Sequence, residues 1–401
     1  MRVGSDFSGV GAFEQALKRL KIDYNTVFAC DLDKYARQTY LENNGDPDYF
    51  PNDVYDRDIP AEPLDIYMTS PPCQSFSLAG SRKGEQDNRG VLFYNSHEFI
   101  KANRPRYFIF ENVKGLLSDD NGKTFQRWID YLAKSVNGQP VIFPHDQSVM
   151  YHVYYRVLNS KDFGVPQNRE RIFIIGIRDD KDNYFRFPKK EYLAKKLKDV
   201  LESEVDDKYY LSESAITTLN KHNNSANGFK FETNKLIAKT IRTAVGKQGT
   251  EDNYIKTHSL YPRSSTTGKG GTRHLTKEDG TAYAIDTGNS QAIEMKILVS
   301  KEVRTKESKE KRKATGTNDF RGKKLEFRKQ DYMNAITTSH TKDHLIKQAK
   351  IRRLTPRECF RLQDFPDSFT WTCSDSQAYK QAGNSITVGV LEKLLNKLLH
   401  L

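Results

Sequence analysis

Residues 1–178 alternate short apolar runs with helix-like stretches, and this alternation restricts the fold more than any other feature of the chain. Candidate strands lie at 66–68, 107–110 and 172–175. Two apolar helical faces accompany these strands, one made of Phe13, Ala16, Leu17 and Leu20 and the other of Phe125, Ile129, Leu132 and Val136. Strands that alternate with helices are typical of an α/β fold in which helices cover a parallel sheet.

The chain changes character after this region. At 401 residues it exceeds the size at which single hydrophobic cores stop growing, so two domains are expected. Between 179 and 350 the apolar runs shorten and Gly, Thr, Asn and Lys dominate, which predicts a smaller, loop-rich domain. Residues 351–401 again show regular apolar patterns and end in a predicted amphipathic helix, whose apolar face consists of Leu391, Leu394, Leu395 and Leu398. We expect this last segment to return to the domain formed by residues 1–178.

The charge and cysteine content narrow the class of protein. Lys and Arg number 64 against 52 acidic residues, a net charge of +12 that favours a polyanionic partner such as nucleic acid. Basic residues crowd together at 301–329, which is either a DNA-facing segment or a solvated linker. The four cysteines form no CxxC pair, and no apolar run is long enough to span a bilayer. We therefore expect a cytoplasmic protein with no membrane partner and no metal site.

A glycine-containing turn follows the first extended segment. Residues 6–11 (DFSGVG) place Gly9 and Gly11 between a strand and a helix, where glycine lets a ligand approach the backbone. Such a turn is also often only a tight connection. Asp31 follows the apolar run 27–29, where it is positioned to bind ribose hydroxyls, to cap the next helix, or simply to face solvent.

The strongest local signal is the segment 70–77 (SPPCQSFS), in which two prolines lead to Cys73. A lone free cysteine is usually a small buried hydrophobe. However, residues 111–113 (ENV) follow another candidate strand and place Glu111 at the carboxyl end of a parallel sheet, where α/β enzymes bind their ligands. Residues 167–171 (QNRER) add Arg169 and Arg171 at the start of a third strand, unless both form surface salt bridges.

Taken together, these segments resemble the DNA (cytosine-5) methyltransferases. The resemblance runs through residues 7–11 (FSGVG), 71–74 (PPCQ), 111–113 (ENV) and 167–171 (QNRER), and resumes at 353–358 (RLTPRE) and 381–385 (QAGNS). Residues 87–93 also look like the segment that follows the family's mobile catalytic loop, which would span 77–88. In the opening motif, Ser5 and Ala12 replace an acid and a glycine that are usual in the family.

The resemblance implies a Rossmann-like catalytic domain that binds S-adenosylmethionine, formed by 1–178 with 351–401, and a target-recognition domain at 179–350. It implies that Cys73 adds to carbon 6 of a flipped-out cytosine in double-stranded DNA while Glu111 engages ring nitrogen 3, with Arg169 and Arg171 beside them. The cofactor residues carried over are Phe7, Gly9, Gly11, Asp31, Asp53, Pro72, Leu92 and Asn384. We expect a monomer, accompanied or not by a restriction endonuclease that acts on the same site.

Three alternatives remain at this point. A branch of the same family methylates transfer RNA with similar motifs, although the long region 179–350 favours a protein that reads duplex DNA. A second alternative is a DNA-binding relative without catalytic activity, which the presence of Cys73 and Glu111 disfavours. A third, an NAD-dependent oxidoreductase, depends on the glycine turn alone and leaves residues 71–74 unexplained.

Overall fold

A single large sheet organises the catalytic region. The computed structural model describes residues 1–72, 92–180, 184–195, 197–210 and 351–400, and between 255 and 344 it describes only the backbone of short strands. The sheet has eight strands in the order β2-β1-β3-β4-β9-β7-β5-β6, while β8 lies outside it. The bounds are β1 Arg2–Asp6, β2 Asn25–Cys30, β3 Ile66–Thr69, β4 Tyr107–Val113, β5 Ala133–Val136, β6 Gln139–Pro140, β7 Tyr151–Asn159, β8 Gln167–Asn168 and β9 Glu170–Arg178.

Helices cover both faces of this sheet. They are α1 Ala12–Arg19, α2 Lys34–Asn44, α3 Leu92–Asn103, α4 Lys123–Leu132, α5 Pro356–Leu362, α6 Asp375–Asn384 and α7 Val388–Leu398. Because side chains alternate along a strand, Ile109 of β4 packs in the core with α1 and α7, whereas Phe108 and Phe110 pack in the core with α3 and α4. The predicted α/β class with helices on both faces is therefore confirmed. In the part of the chain that the structure describes, no helix is long and apolar enough to cross a membrane.

The sheet is mixed rather than wholly parallel. Strands β2, β1, β3 and β4 run parallel, but β9 is antiparallel to β4, and β7 is antiparallel to β9. The predicted helical face of 125–136 is wrong at its end, because α4 stops at Leu132. Ala133 takes an extended backbone conformation, and Val136 belongs to β5, which pairs with β7. Pairing of β5 with β6 and β7 thus places Val136 in a strand, although its spacing matches the helical period.

The last part of the chain packs against the first. The leucines predicted as the apolar face of α7 are buried, and α7 lies in the same core as α1. Arg19 of α1 forms an ion pair with Asp364 at 2.6 Å. At the start of α5, Arg352 and Glu358 form a buried ion pair of 2.7 Å, and Glu358 also accepts the backbone N–H of Thr355.

Eight short strands are described in the region between 255 and 353. They are β10 Ile255–Ser259, β11 Leu275–Lys277, β12 Ala282–Tyr283, β13 Gln291–Met295, β14 Ser300–Arg304, β15 Lys323–Phe327, β16 Asp343–His344 and β17 Ile351–Arg353. They form one sheet in the order β11-β10-β13-β17 and another in the order β15-β14-β16. Strand β12 pairs with β8, so this region contacts residues 167–168. Much of the basic stretch at 301–329 lies outside the described residues.

Candidate functional site

The carboxyl ends of four parallel strands bring the sequence motifs to one edge of the sheet. Asp6 pairs with Cys30 of β2 and with Thr69 of β3, and Thr69 pairs with Phe110 of β4. Because β9 is antiparallel to β4, its first residues lie at this same edge, with Arg171 opposite Val113. The segments 7–11, 31–33, 70–72, 111–113 and 169–171 therefore surround one cleft edge, as expected for ligand sites in α/β proteins.

The turn after β1 has an unusual backbone. Phe7 has φ 56°, a left-handed conformation that is rare for a non-glycine residue and is a mark of strain often found at functional sites. Gly9 also has φ 56°, and a Cβ built on it would meet no atom of the described residues within 4 Å, so among them its face leaves room for a ligand. Gly11 differs, since a Cβ there would lie 2.1 Å from the amide nitrogen of Asn44. Close packing against Asn44 thus explains the glycine at position 11, whereas Gly9 presents an open surface.

Asp31 links this turn to the end of β2. One carboxylate oxygen accepts the backbone N–H of Gly9 at 2.8 Å, and the other accepts the backbone N–H of Asp33 at 2.8 Å. Each oxygen retains a second lone pair, so the carboxylate can still accept hydroxyl protons. Burial raises the pKa of Asp31, and the two backbone hydrogen bonds oppose that effect. The predicted capping role was wrong, because Asp33 caps α2 through its bonds to the N–H groups of Tyr35 and Ala36.

Asp53 lies in a turn near the same edge. Its carboxylate accepts the backbone N–H of Tyr55 at 3.1 Å, and the side chain is half-buried. Burial raises the pKa of the Cys30 thiol, and the negative charges of Asp6, Asp31 and Asp53 raise it further. These carboxylates consequently surround the end of β2. Leu92, which is partly exposed, is the first residue of α3.

Residues 70–72 are held between the glycine turn and β4. The Ser70 hydroxyl donates to the carbonyl of Phe7 at 3.2 Å, and the Asn112 side chain donates to the carbonyl of Pro71 at 3.4 Å. Pro72 is half-buried. Cys73 and the predicted loop 77–88 lie outside the described residues. The described part of the motif nevertheless joins the end of β1 to the segment 111–113.

Glu111 is buried near the carboxyl end of β4 and faces two guanidiniums. The Nε atom of Arg171 lies 3.0 Å from its carboxylate. Burial raises the pKa of Glu111, and the positive charges of Arg171 and Arg169 oppose this effect. The strand continues to Val113, three residues beyond the predicted end, so Glu111 is fixed by the sheet itself. A carboxyl whose pKa is raised at such a position can exchange a proton with a bound base.

The two predicted arginines occupy different places. Arg169 is buried, and its Nη2 atom donates to the carbonyls of Gly383 at 3.1 Å and Ser385 at 2.8 Å. These two carbonyls flank Asn384, the exposed last residue of α6. Arg171 has a side chain that is 20% exposed and contacts Glu111. Arg169 therefore fixes the segment around Asn384, whereas Arg171 reaches the carboxylate directly.

Sequence reasoning missed two features of this edge. Asp6 and Arg57 form a buried ion pair, with Nε of Arg57 2.9 Å from the carboxylate. Leu32, beside Asp31, is 75% exposed, so it offers an apolar surface next to a carboxylate. An exposed leucine between two aspartates in the sequence 31–33 (DLD) was the corresponding signal.

Comparison with known families covers the whole chain. Residues 1–400 match the family described as C-5 cytosine-specific DNA methylase. The orphan methyltransferase M.SPRI of Bacillus phage SPR is 33% identical, over 100% of this chain and 98% of that protein. The type II methyltransferase M.HpaII of Haemophilus parainfluenzae is 31% identical, over 98% of this chain and 88% of that protein.

Solved structures agree with the fold. The S. pombe Dnmt2 methyltransferase superposes with a TM-score of 0.55 at 18% identity, covering 100% of this chain and 98% of that one. The methyltransferase EhMeth of Entamoeba histolytica superposes with a TM-score of 0.56 at 13% identity, over 100% and 98% of the two chains. At these identities the likeness concerns the fold. With a family match across residues 1–400 and relatives above 30% identity, the chain belongs to the C-5 cytosine-specific DNA methylase family and is a DNA (cytosine-5) methyltransferase.

Proposed function

We propose that this enzyme transfers the methyl group of S-adenosylmethionine to carbon 5 of a flipped-out cytosine in duplex DNA, through a covalent adduct with Cys73. The observation that carries the proposal is Glu111, a buried carboxyl with a raised pKa, 3.0 Å from Arg171 at the edge where residues 70–72 lead to Cys73. The family match supplies the reaction class. The geometry supplies a group suited to protonating a ring nitrogen.

The proposed cofactor side consists of the turn 7–11, Asp31, Asp53, Pro72, Leu92 and Asn384. Its chemistry fits S-adenosylmethionine, because Gly9 leaves an open surface and Asp31 retains lone pairs for the ribose hydroxyls. In this proposal Asp53 accepts a hydrogen bond from the amino group of adenine, and the exposed Leu32 offers apolar surface to the ring; the half-buried position of Asp53 and the exposure of Leu32 support these roles. When bound, the cofactor supplies an electrophilic methyl group on a sulfonium.

The proposed base side consists of Cys73, Glu111, Arg169 and Arg171. Carbon 5 of cytosine is a weak nucleophile, so the thiolate of Cys73 first forms a bond to carbon 6. Glu111 donates its proton to ring nitrogen 3, and Arg171 holds the carboxyl in place. Carbon 5 would then form a bond to the methyl carbon while the bond from that carbon to the sulfonium sulfur breaks, which releases S-adenosylhomocysteine. A base removes the proton from carbon 5, the sulfur of Cys73 leaves carbon 6 as thiolate, and ring nitrogen 3 returns its proton to Glu111, leaving 5-methylcytosine.

The thiols of Cys30 and Cys373 are poor nucleophiles at neutral pH. Burial raises the pKa of Cys30 and of Cys373, which keeps both thiols protonated at neutral pH. Cys359 is fully buried at the start of α5. These properties support Cys73 as the residue that forms the adduct.

We further propose that residues 179–350 form the target-recognition domain, and that residues 1–178 and 351–401 form the catalytic domain of a cytoplasmic monomer. The packing of α7 on α1 supports the return of residues 351–401 to the catalytic domain, and no described strand between 255 and 344 belongs to the eight-stranded sheet. The two domains would then meet at β8 and β17, which pair with strands of the middle region. The relatives include an orphan phage methyltransferase and type II methyltransferases, and we propose the same classes here, either an orphan enzyme or one with a cognate restriction endonuclease.

The covalent step is testable with DNA that carries 5-fluorocytosine at the target site, after bisulfite sequencing of DNA from an expressing host has identified that site. Fluorine cannot leave as a proton, so the methylated base should remain attached to the protein through denaturing electrophoresis. We expect the adduct to map to the peptide that contains Cys73 and to be absent from the Cys73→Ser variant. An adduct on Cys30, Cys359 or Cys373, or full activity of Cys73→Ser, would contradict the assignment.

A further inference from the structure

A buried ion pair closes the end of β1. The carboxylate of Asp6 is fully buried, and the side chain of Arg57 is 3% exposed. The Nε atom of Arg57 lies 2.9 Å and 3.1 Å from the two carboxylate oxygens, and the hydroxyl of Tyr67 donates to one of them at 2.5 Å. Asp6 immediately precedes Phe7, the strained first residue of the glycine turn. The pair therefore lies directly behind the proposed cofactor side.

The other end of the guanidinium reaches α3. Its Nη2 atom donates to the side-chain oxygen of Asn95 at 3.0 Å, and the Asn95 amide donates to the backbone carbonyl of Val54 at 3.1 Å. The guanidinium also lies over the ring of Phe99, 4.3 Å from its centre. Asn95 thus joins the helix to the turn that contains Val54 and Arg57.

This cluster connects the three segments that carry proposed cofactor contacts. Asp6 adjoins Phe7, Val54 adjoins Asp53, and Asn95 lies three residues after Leu92 on α3. A planar guanidinium with several donors can hold a carboxylate and an amide at once, which a single ammonium cannot do with the same geometry. The cluster has the reach and the shape to set the distances among these segments.

Stability alone does not explain such a cluster. Burying two charges costs desolvation, and apolar residues of similar volume often stabilise a fold as well as a buried ion pair does. Burial raises the pKa of Asp6 even beside Arg57, which shows that the charged form of the carboxylate is costly at this place. An apolar pair would fill the space but would not bind Asn95. The specific gain from Arg57 is therefore the fixed position of the turn and the helix.

We propose that Arg57 and Asn95 are positioning residues for S-adenosylmethionine, holding the Asp53 turn and the first turn of α3 against the end of β1. The inference rests on the proposed function, because the cofactor contacts of Phe7, Asp53 and Leu92 belong to that proposal. The proposed role places neither Arg57 nor Asn95 in contact with the reacting atoms. Their effect is on cofactor affinity.

The first test separates positioning from stability with one single and one double variant. Arg57→Met leaves Asp6 buried without its charge partner, so it should lower Tm by about 10 °C and also weaken cofactor binding. Asp6→Leu combined with Arg57→Met replaces the pair by apolar groups and should recover most of the Tm. It should still bind S-adenosylhomocysteine about tenfold more weakly in calorimetry, with KM for S-adenosylmethionine raised and kcat at saturation within about twofold.

The second test uses two asparagines of α3 as a matched pair. Asn103, at the other end of the helix, also binds the preceding loop, through the carbonyls of Pro60 and Glu62 and the N–H of Leu64. Asn95→Ala should weaken S-adenosylhomocysteine binding about five- to tenfold, because the two hydrogen bonds that join Asn95 to Arg57 and Val54 are lost. Asn103→Ala should lower Tm by at least as much as Asn95→Ala does, and it should leave the affinity for S-adenosylhomocysteine unchanged.

The outcomes distinguish this inference from the proposed function. Wild-type affinity in the double variant, or equal affinity losses in Asn95→Ala and Asn103→Ala, would overturn the positioning role. If the double variant does not fold, the comparison of the two asparagines decides alone. A wild-type protein that binds no S-adenosylhomocysteine would instead overturn the proposed function.

Discussion

The cofactor side and the base side use carboxylates in different ways. On the cofactor side, Asp31 is held by two backbone N–H groups and Asp6 by Arg57, so these carboxylates shape turns. On the base side, Glu111 is fixed by β4 and faces Arg171, and burial raises its pKa. Burial raises the pKa of all three carboxyls, so the two sides differ in what these groups bind: Asp31 and Asp6 fix turns, whereas Glu111 faces Arg171 beside the segment that leads to Cys73. We therefore assign geometry to the carboxylates of the cofactor side and proton exchange to Glu111. Changes on each side should therefore affect different measured quantities.

The largest effect should come from Glu111→Gln on the base side. The amide keeps nearly the same shape but cannot give up and regain a proton as the carboxyl does, so kcat should fall by about 10²- to 10⁴-fold. The Kd for S-adenosylhomocysteine should stay within about twofold. Single-turnover methylation of target DNA and calorimetry would measure the two quantities.

Glu170→Gln is the matched control for this change. Glu170 lies at the start of β9 and pairs with Lys114 at the surface, so its replacement should leave kcat close to the wild-type value. If Glu111→Gln instead weakened cofactor binding as much as it slowed the reaction, the separation into two sides would be wrong.

A smaller effect is expected from Asp31→Asn on the cofactor side. An amide offers one acceptor oxygen, so it cannot accept the N–H groups of both Gly9 and Asp33 and also bind ribose hydroxyls as the carboxylate does. We expect about 10- to 100-fold weaker binding of S-adenosylhomocysteine in calorimetry, with kcat at saturating cofactor nearly unchanged.

Asp33→Asn provides the neighbouring control for Asp31→Asn. Asp33 caps α2 and pairs with Lys380, and asparagine is also a good N-cap residue. This variant should change the cofactor Kd by less than about twofold. A loss of affinity equal to that of Asp31→Asn would show that the segment 31–33 acts only through its shape.

The extent to which the sequence predicted this site depends on the range of the contacts. Glu111 was expected at the carboxyl-end edge because it follows a strand of a parallel sheet, whereas Arg171 precedes its strand and lies at that edge because β9 runs antiparallel to β4. The Asp6–Arg57 pair was not predicted, since its members are 51 residues apart and no local pattern links them. Asp31 was assigned the cap that Asp33 provides, because both aspartates precede the same helix and only the backbone conformation distinguishes them.

The smallest predicted effect concerns the dependence of stability on pH. Burial raises the pKa of Glu111 above its ordinary value, so between the unfolded and folded pKa values the folded state binds more protons than the unfolded state. The free energy of unfolding therefore falls as the pH rises through this window and remains lower above it. Glutamine does not titrate, so Glu111→Gln should have a higher Tm than the wild type at pH 8, by about 2–4 °C.

This difference in Tm should disappear as the pH falls below about 4.3, the ordinary pKa of glutamate, because Glu111 then becomes protonated in the unfolded state as well. Glu170→Gln again serves as the control, because it removes the same charge from an exposed position and should show a small difference that does not grow with pH. Thermal unfolding of the three proteins from about pH 3.5 to pH 8 would measure both trends. A Glu111→Gln variant less stable than the wild type at pH 8 would mean that the attraction of Arg171 and Arg169 exceeds the cost of burial, and Glu111 would then resemble the carboxylates of the cofactor side, whose charge maintains geometry.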